Sequence, residues 1–554
     1  IHLELAPGES DEILFVLGEG ENHTSAQDLA IRWRDCEHAG QALQTLDRHW
    51  NDILGAVQIS TPDAGFDLMA NRWLIYQTLS SRVLARTGLY QSSGAFGFRD
   101  QLQDVLALLH TAPDLTRAHI LLSARHQFAE GDVLHWWHPP SERGVRTRCS
   151  DDLVWLPYAV GIYVQATGDF GILDEEVPFL EGSPLTDDEE NRYARFESGS
   201  ALYPLIDHCE RALERALTAG PHGLPLIGGG DWNDGMDRLG RLGRGESVWL
   251  AWFLAVTADL FAVVCKRTER TSSAERWEKQ ADLLRASAEE TGWDGGWYRR
   301  AYDDEGHPLG SAINDECRID SISQSWAAFA SARPDRVRQG LDAAWTELVH
   351  AEDSLSRLLW PPFDKGHRDP GYIKAYPPGT RENGGQYSHA AAWLGIAFAK
   401  QKEPEKAFSI FETISPVRRT DERAKAEHYR REPYAVAGDI AAAVPHSGRG
   451  GWSWYTGAAG WTWRLGIENI LGLRRTDGNL VVDPCIPRSW GGYSAELQSQ
   501  TGAISVRVED PDGLGCGNAE LMIDGKVSTD KTIPFPKNGT TTQVIVRLKR
   551  RKRL

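Results

Sequence analysis

The chain has 554 residues, of which 41% are hydrophobic and 25% charged, a composition that allows a large buried core and more than one domain. Its formal net charge of −18 argues against a nucleic-acid-binding protein and against one that lies on a membrane surface. The seven cysteines are scattered without any Cys-x-x-Cys pair, so neither a disulfide framework nor a zinc site is indicated. With no visible signal peptide, these features predict a cytoplasmic protein.

The N-terminal 61 residues are predicted to contain strands and then a helical segment. Two short apolar stretches within residues 1–20 are typical of strands. From Ser25 to about Ile53 the apolar residues repeat with helical spacing. Because the chain opens at Ile1 without a methionine, we expect an upstream part to be missing.

A long helical region is predicted between residues 62 and 473. About a dozen helical segments follow one another there without strong strands between them, which fits helix pairs closed into an (α/α)6 toroid and a mainly α protein. The most apolar segment, residues 248–265, is too short for a comfortable membrane span and is predicted to be a buried core helix. The predicted helices cover residues 65–87, 100–111, 114–127, 151–167, 200–219, 246–268, 273–291, 321–332, 335–350, 387–400, 403–413 and 456–467.

Strand patterns return in the last part of the chain, residues 474–554. Apolar and β-branched runs at residues 480–482, 503–508 and 543–546 are separated by turn signals such as the Asp-Pro-Asp-Gly stretch at 510–513. This region is predicted to be a small C-terminal β-sandwich.

The motif with the clearest chemistry is residues 228–237, which read GGGDWNDGMD. A glycine run lets the backbone approach a ligand closely. Asp231 and Asp234 follow it, with an aromatic ring and an amide between them. Cleaving a glycosidic bond requires a proton for the departing oxygen, which a carboxylic acid can supply. The alternative is a turn and helix cap, a common structural use of Asp-x-x-Asp.

Four motifs together resemble glycoside hydrolase family 94, the family of cellobiose and chitobiose phosphorylases. They are GFRDQLQD at residues 97–104, GDWNDG at 230–235, RENGGQYSH at 381–389 and WYTG at 454–457. The resemblance covers essentially the whole chain and is strongest to the β-1,2-glucan branch of the family, which includes 1,2-β-oligoglucan phosphorylases and the C-terminal module of cyclic β-1,2-glucan synthases. It implies that residues 1–22 end an N-terminal β-sandwich, residues 23–61 form a helical linker and residues 62–473 form the catalytic barrel.

The resemblance also implies roles for individual residues, with Asp234 as the general acid. The glucosyl unit that is cleaved would be held by Arg99, Asp100 and Trp232, and Asp231 is a further candidate for substrate binding. Arg381 and Glu382 would lie near the leaving sugar, and Gln324 could reach a sugar hydroxyl or serve as a structural amide. Phosphate would be bound by His389, Thr456 and Gly457, which offer an imidazole, a hydroxyl and a backbone N–H.

One departure from the family concerns phosphate. The cellobiose and chitobiose phosphorylases carry a further phosphate-binding arginine at the position that is Gly94 in this sequence. Arg146 and Arg148 are candidates to replace it, because an arginine pair can fork onto phosphate or sugar hydroxyls. The alternative for these two arginines is a set of salt bridges with Asp151 and Asp152.

The sequence therefore predicts an inverting phosphorylase that converts a β-linked glucan, favouring the β-1,2 linkage, and inorganic phosphate into α-glucose 1-phosphate and a shortened chain. Neither a metal nor an organic cofactor is expected, and the partners are an oligosaccharide and phosphate, with no nucleic acid and no membrane contact. The chain is expected to be either a homodimer or part of a larger polypeptide. Three alternatives stay open: an inverting hydrolase with Glu382 as base, a module of a cyclic β-1,2-glucan synthase, and a non-catalytic sugar-binding scaffold.

Overall fold

The computed structural model describes residues 2–84, 94–139, 141–350, 354–537 and 539–550. Two compact units can be separated by their internal contacts, Ile1–Ala56 and Val57–Leu554. The second unit contains every residue to which the sequence analysis assigned a role.

The first unit contains two helices, His23–Trp33 and Cys36–Leu54. The single helix predicted from Ser25 to Ile53 is divided because Asp35 accepts hydrogen bonds from the first backbone N–H groups of the second helix and caps it. The strands predicted near the N-terminus are wrong for residues 2–22, which form neither helix nor strand. A strand needs a partner for its backbone groups, and the apolar side chains of this segment, including Phe15 at 79% exposure, cover no core.

The second unit contains the predicted succession of helices, with most boundaries within a few residues of the prediction. Proline opens three of them, consistent with its preference for the first helical position. The longer helical segments are 64–83, Phe98–Leu106, Pro113–Ala124, Trp155–Thr167, Leu205–Ala216, Val248–Arg267, Thr271–Thr291, Ser321–Phe329, Pro334–Leu348, Ser388–Lys400, Pro404–Ile414 and 458–470.

Alternate helices in this series pack against one another in a cyclic order, and each also packs against its neighbour in sequence. Four buried tryptophans lie between these helices, where Trp326 and Trp393 contact each other and each also contacts the rings of Trp155 and Trp249. The helices in cyclic contact are Phe98–Leu106, Trp155–Thr167, Val248–Arg267, Ser321–Phe329, Ser388–Lys400 and Ala458–Arg464, the last of which packs against the first.

The helix Val248–Arg267 is long and apolar enough to span a membrane, if only length and composition are considered. However, 78% of the most apolar 18-residue stretch of this helix is buried inside the protein. Its apolar surface is therefore covered by neighbouring helices, as the sequence analysis predicted.

The C-terminal region forms two antiparallel or mixed sheets that contain all three predicted strand segments. A six-stranded sheet has the order Val57–Ser60, Gly492–Ser499, Gly502–Glu509, Thr541–Lys549, Asn518–Ile523 and Lys526–Ser528. A three-stranded sheet contains Leu473–Thr476, Asn479–Val482 and Thr532–Ile533. The edge strand Val57–Ser60 was not predicted, because its partner Gly492–Ser499 is more than 400 residues away in sequence.

The structure also contains a four-stranded sheet that the sequence analysis did not predict, and its strands come from segments before, between and after the helices Phe98–Leu106 and Trp155–Thr167. Its strands are Phe96–Gly97, Leu134–His138, Arg143–Thr147 and Asn191–Arg195. This sheet carries His135 towards the GDWNDG loop, which is the reason it matters for the site.

Candidate active site

The glycine-rich loop at residues 228–237 packs closely against the segment that follows Arg148. Gly228 and Gly230 adopt φ values of +60° and +114°, which favour glycine. A Cβ atom on Gly228 would lie 2.5 Å from the carbonyl oxygen of Arg148. The loop ends in a single 3-10 turn, Asp234–Met236, in which Asn233 caps the backbone N–H of Gly235 at 3.1 Å. The glycines thus allow the close approach that fixes Asp234 at the start of this turn.

Asp231 is fully buried and anchors the GDWNDG loop to the protein interior. Both of its oxygens accept hydrogen bonds from Arg300, at 2.5 and 2.6 Å, and Ser247 Oγ donates to it at 2.7 Å. Burial by itself would raise the pKa of Asp231, but the Arg300 guanidinium outweighs this and holds the pKa below its ordinary value. With both oxygens occupied, Asp231 positions the loop and does not face a sugar, which corrects its predicted role in substrate binding.

Asp234 is the accessible carboxylate of the motif, with 37% of its side chain exposed. Arg99 Nη2 donates to Asp234 Oδ1 at 2.6 Å, and His135 Nε2 lies 3.7 Å from Asp234 Oδ2. A carboxyl group that can be reached by a ligand and is held between two basic groups is suited to exchange a proton with a bound molecule.

Arg99 is buried and connects the GDWNDG loop to Asp151 through its guanidinium. Its Nη1 donates to Asp151 Oδ1 at 2.8 Å and to the carbonyl oxygen of Asp231 at 3.0 Å. Burial alone would lower the pKa of Arg99, but the surrounding carboxylates, Asp151 first, raise it well above its ordinary value. Neighbouring Asp100 is paired with Arg82 at 3.1 Å, yet 46% of its side chain stays exposed, so that it remains available to a ligand.

His135 is a site residue to which the sequence analysis assigned no role of its own. Its Nδ1 lies 2.7 Å from Asp152 Oδ2, while Nε2 points towards Asp234. Burial would lower the pKa of His135, but the charges of Asp152 and Asp234 outweigh it and raise the pKa to about 9. At neutral pH the imidazole is therefore a cation that faces the proposed acid.

We expect the titration of His135 to report this arrangement directly. In protein labelled with 13C at histidine Cε1, the resonance that disappears in His135→Gln should titrate with a pKa of about 9. In Asp152→Asn the pKa should fall by ~1–3 units, because a paired negative charge is removed. A wild-type pKa near the ordinary value of 6.5 would contradict the proposed geometry.

His135, Cys149 and Asp152 also place potential metal ligands within 4.8 Å of one another. Burial raises the pKa of the Cys149 thiol well above its ordinary value, which disfavours the thiolate that metals prefer. The Arg99 guanidinium lies 3.6 Å from the sulfur, so a metal cation would be repelled. This cluster fits a hydrogen-bonded network better than a metal site.

A second group of predicted residues lies next to Trp232. The Trp232 and His389 rings are 5.2 Å apart between centroids, and Trp232 packs on Trp393 at 4.8 Å. A Cβ atom on Gly457 would lie 3.2 Å from His389 Nδ1, so glycine keeps the space beside the imidazole open. The preceding Thr456 is buried and its Oγ1 accepts from the N–H of Ala458 at 3.2 Å. The structure therefore brings His389, Thr456 and Gly457 together, as predicted.

Arg381 and Glu382 form a third group with aromatic neighbours. The Arg381 guanidinium lies 4.4 Å from the ring centroid of Trp452 and 4.7 Å from that of Tyr376. Glu382 Oε2 is 3.6 Å from Arg381 Nε, and burial raises the pKa of Glu382 above its ordinary value. A flat cation between aromatic rings, next to a carboxylate, matches the mixed polar and apolar surface of a sugar.

Comparison with known proteins accounts for this combination of residues. A sequence model of the catalytic domain of the glycosyl hydrolase 94 superfamily matches residues 49–472. The chain belongs to the glycosyl hydrolase 94 superfamily. The match includes all four motifs on which the resemblance was based, GDWNDG among them.

Individual relatives differ in their overall length. Cyclic beta-(1,2)-glucan synthase NdvB of Rhizobium meliloti is 46% identical over 91% of this chain and 18% of that protein. N,N'-diacetylchitobiose phosphorylase of Vibrio furnissii is 26% identical over 94% of this chain and 66% of that protein. A GH78 family rhamnosidase of Bacillus sp. GL1 has a similar fold, with a TM-score of 0.51 and 12% identity over 82% of this chain and 42% of that chain. The chain thus spans less than two thirds of each of these proteins.

Two arginines that were predicted to replace a phosphate ligand of the glycosyl hydrolase 94 family have other partners. All five N–H groups of Arg146 are occupied, by Asp132, Glu130 and the carbonyl oxygens of Gly182 and Ser183. Arg148 is exposed and donates to the carbonyl oxygens of residues 186 and 189. Both side chains hold neighbouring backbone segments in place, and neither is assigned to phosphate. The alternative salt bridges with Asp151 and Asp152 are not formed by them either.

Gln324 was a further candidate for contact with a sugar hydroxyl, and its amide is hydrogen-bonded to the backbone instead. Its Nε2 donates to the carbonyl oxygens of Tyr298 and Asp320, at 2.7 and 3.1 Å, and its Oε1 accepts from the N–H of Tyr298 at 2.9 Å. The amide is buried, and both its nitrogen and its oxygen are hydrogen-bonded to backbone groups. It is a structural residue, the alternative that the sequence analysis left open.

Proposed function

We propose that this chain catalyses inverting phosphorolysis of a β-linked gluco-oligosaccharide, with Asp234 as the general acid. The observation that carries the proposal is the arrangement around Trp232: an accessible carboxyl on one side of the site and the cluster of His389, Thr456 and Gly457 beside its ring. An acid and an anion site are the two elements that this reaction needs, because phosphate is itself a nucleophile.

In the proposed reaction the Asp234 carboxyl gives its proton to the glycosidic oxygen as the bond from that oxygen to the anomeric carbon breaks. A phosphate oxygen attacks the same carbon from the opposite face and forms α-glucose 1-phosphate, while the shortened chain departs with the proton as its new hydroxyl. The carboxylate that remains on Asp234 is stabilised by Arg99 and by the His135 cation. Because these contacts strengthen as negative charge develops, they favour proton transfer.

We also propose that the cyclic series of helices within residues 62–473 is an (α/α)6 toroid, and that residues 474–554 form a C-terminal β-sandwich. The contacts between alternate helices and between the last and the first support a closed ring. In such a ring the GDWNDG loop lies in a connection between helices, and His389 lies at the N-terminal end of the helix Ser388–Lys400. Loops and helix ends on a rigid scaffold are where binding sites commonly lie. All seven cysteines are free, which fits the proposed cytoplasmic location.

For the substrate we propose a β-1,2-linked glucan, on the basis of the similarity to NdvB over most of this chain. That similarity equally favours a second role, in which the chain is a module of a larger glucan synthase. Such a module would control the length of the glucan chains that are made elsewhere in the polypeptide. Both roles use the same reaction at Asp234. They differ in the covalent context of the chain, and the larger-polypeptide prediction belongs to the second of them.

The first prediction from this proposal concerns the requirement for phosphate. With β-1,2-linked gluco-oligosaccharides the protein should release glucose 1-phosphate as the α anomer, and only when phosphate is present, as measured by proton NMR or by an enzyme-coupled assay. Panels of β-1,3- and β-1,4-linked oligosaccharides of equal length serve as controls for linkage. Release of glucose at the same rate without phosphate would favour the hydrolase, with buried Glu382 as its base.

A further inference from the structure

A buried arginine that is not among the family's expected ligands lies beside the His389 cluster. Arg82 donates from Nε to Asp104 Oδ2 at 2.7 Å and from Nη2 to Asp100 Oδ1 at 3.1 Å. The face of its guanidinium lies 4.3 Å from the ring centroid of Tyr455. Among the described residues, Asp104 and Asp100 are the only hydrogen-bond acceptors of the guanidinium, so the N–H groups of Nη1 stay available to a ligand.

The hydrogen-bond network around Gln103 fixes the state of His389. Trp461 Nε1 can only donate, so the atom of Gln103 at 3.1 Å from it must be the amide oxygen. The same oxygen lies 3.0 Å from His389 Nε2, which must therefore carry the hydrogen. Burial lowers the pKa of His389 to about 3, so the ring is neutral and its Nδ1 is an acceptor.

A second acceptor without a protein partner faces the same space. Asp104 Oδ1 is buried and has no hydrogen-bond partner among the described residues, although Oδ2 is bound by Arg82. A Cβ atom on Gly457 would lie 3.4 Å from this oxygen and 3.2 Å from His389 Nδ1. The space that the missing Gly457 side chain leaves open is therefore bordered by two acceptors, with a guanidinium bound to the carboxylate behind it. A buried acceptor left without a donor is costly, which points to a ligand that brings one.

We propose that Arg82, Asp104 and His389 form an oxyanion subsite that selects hydrogen phosphate over fully ionised anions, with the guanidinium donating and Asp104 Oδ1 or His389 Nδ1 accepting the P–O–H hydrogen. The inference rests on the proposed function, for which it supplies the nucleophile's site. His389, Thr456 and Gly457 are implied by the family, whereas Arg82 and Asp104 are assigned by the geometry alone. In this proposal Arg82 supplies the positive charge that an arginine provides in the cellobiose and chitobiose phosphorylases at the position of Gly94.

The selectivity follows from the number of hydrogens that each anion carries. Hydrogen phosphate and hydrogen arsenate have one O–H group near neutral pH and can satisfy one of the two acceptors. Burial raises the pKa of Asp104 to about 6, so above that pH its Oδ1 is an acceptor only. Sulfate has no hydrogen, so its oxygens would then face the lone pairs of Asp104 Oδ1 and His389 Nδ1 without a donor between them. Such an unpaired contact in a buried site costs ~1–3 kcal/mol or more, which corresponds to at least about tenfold in affinity.

The first experiment measures anion binding to the whole chain by titration calorimetry. We expect phosphate and arsenate to bind with similar affinity and sulfate to bind at least about tenfold more weakly. In Asp104→Asn the amide can keep an oxygen towards Arg82 and turn its NH2 group to the anion, so the preference over sulfate should shrink by about tenfold. Equal binding of phosphate and sulfate by the wild-type protein would overturn the inference.

The second experiment tests Arg82 by kinetics. In Arg82→Lys, which keeps the charge but loses the forked donors, the KM for phosphate should rise by about tenfold or more while the KM for the oligosaccharide changes little. Arg148→Ala is the matched control, since it removes an arginine that only holds backbone carbonyls, and it should leave both constants unchanged. An unchanged phosphate KM in Arg82→Lys, or a rise confined to Arg148→Ala, would contradict the assignment.

Failure of this inference can be distinguished from failure of the proposed function. If the wild-type protein releases glucose 1-phosphate but binds sulfate as well as phosphate, the reaction stands and the subsite is wrong. If the anion selectivity is found and no glucose 1-phosphate forms from any oligosaccharide, the subsite stands and the proposed reaction is wrong. Thermal unfolding of each variant shows whether a loss of binding reflects a loss of folding.

Discussion

Asp234→Asn is expected to lower the rate of phosphorolysis by about 10²–10⁴-fold, the usual contribution of a general acid. The asparagine amide has nearly the same shape as the carboxyl and its oxygen can still accept from Arg99, but it cannot release a proton to the glycosidic oxygen. Since 37% of the side chain is exposed and it belongs to no core cluster, the melting temperature should change little. The measurement is kcat for glucose 1-phosphate release at saturating phosphate.

Two controls make this result specific to proton donation. Asp237→Asn removes another carboxylate from the same loop, one that accepts from the N–H of Tyr372, and should retain most of the activity. An aryl glycoside whose leaving group needs no proton should be cleaved by Asp234→Asn with a much smaller deficit than the natural substrate. Near-normal turnover of the natural substrate by Asp234→Asn would remove the mechanism.

Arg300→Met is expected to have the largest effect on stability, lowering the free energy of unfolding by ~3–5 kcal/mol. Arg300 and Asp231 are both fully buried and share two hydrogen bonds. Without the guanidinium, Asp231 would be an uncompensated charge in the interior, and Asp320, which lies 3.4 Å from Arg300 Nε, would lose the same partner. Denaturant unfolding followed by tryptophan fluorescence measures the change.

The double variant Arg300→Met/Asp231→Asn separates charge from packing. Removing the stranded carboxylate should recover part of the lost stability, because a neutral amide costs less to bury than an unpaired charge. Activity should remain low in both variants, because Asp231 fixes the loop that carries Asp234. If the single variant were as stable as the wild type, Asp231 would not be the anchor of the loop.

The sequence was informative where chemistry depends on local pattern. The helical periods predicted nearly every helix of the second unit, since an amphipathic or apolar period is a property of neighbouring residues. The GDWNDG motif pointed to Asp234 as the candidate acid, which the structure leaves 37% exposed, and the motifs around His389 and Gly457 pointed to residues that do lie together. For the N-terminal 22 residues the same reasoning failed, because a strand pattern has meaning only when another strand pairs with it.

Partner choice across long sequence separations was decided by the tertiary structure alone. Asp231 and Asp234 have the same residue type in one loop, yet one is buried against Arg300 and the other faces the site. Arg146 and Arg148 looked equivalent to a phosphate ligand in the sequence, whereas Arg82, without any motif of its own, lies beside His389.

The sequence by itself determined the family, the order of the helices and the identity of the proposed acid, because these depend on residue types at short spacing. The tertiary structure decided which carboxylates are neutralised by buried arginines, which imidazole is a cation and which is neutral, and where an anion can enter. Those properties depend on burial and on the charges within a few ångströms, and the contacts that set them include pairs 286 and 358 positions apart in the chain.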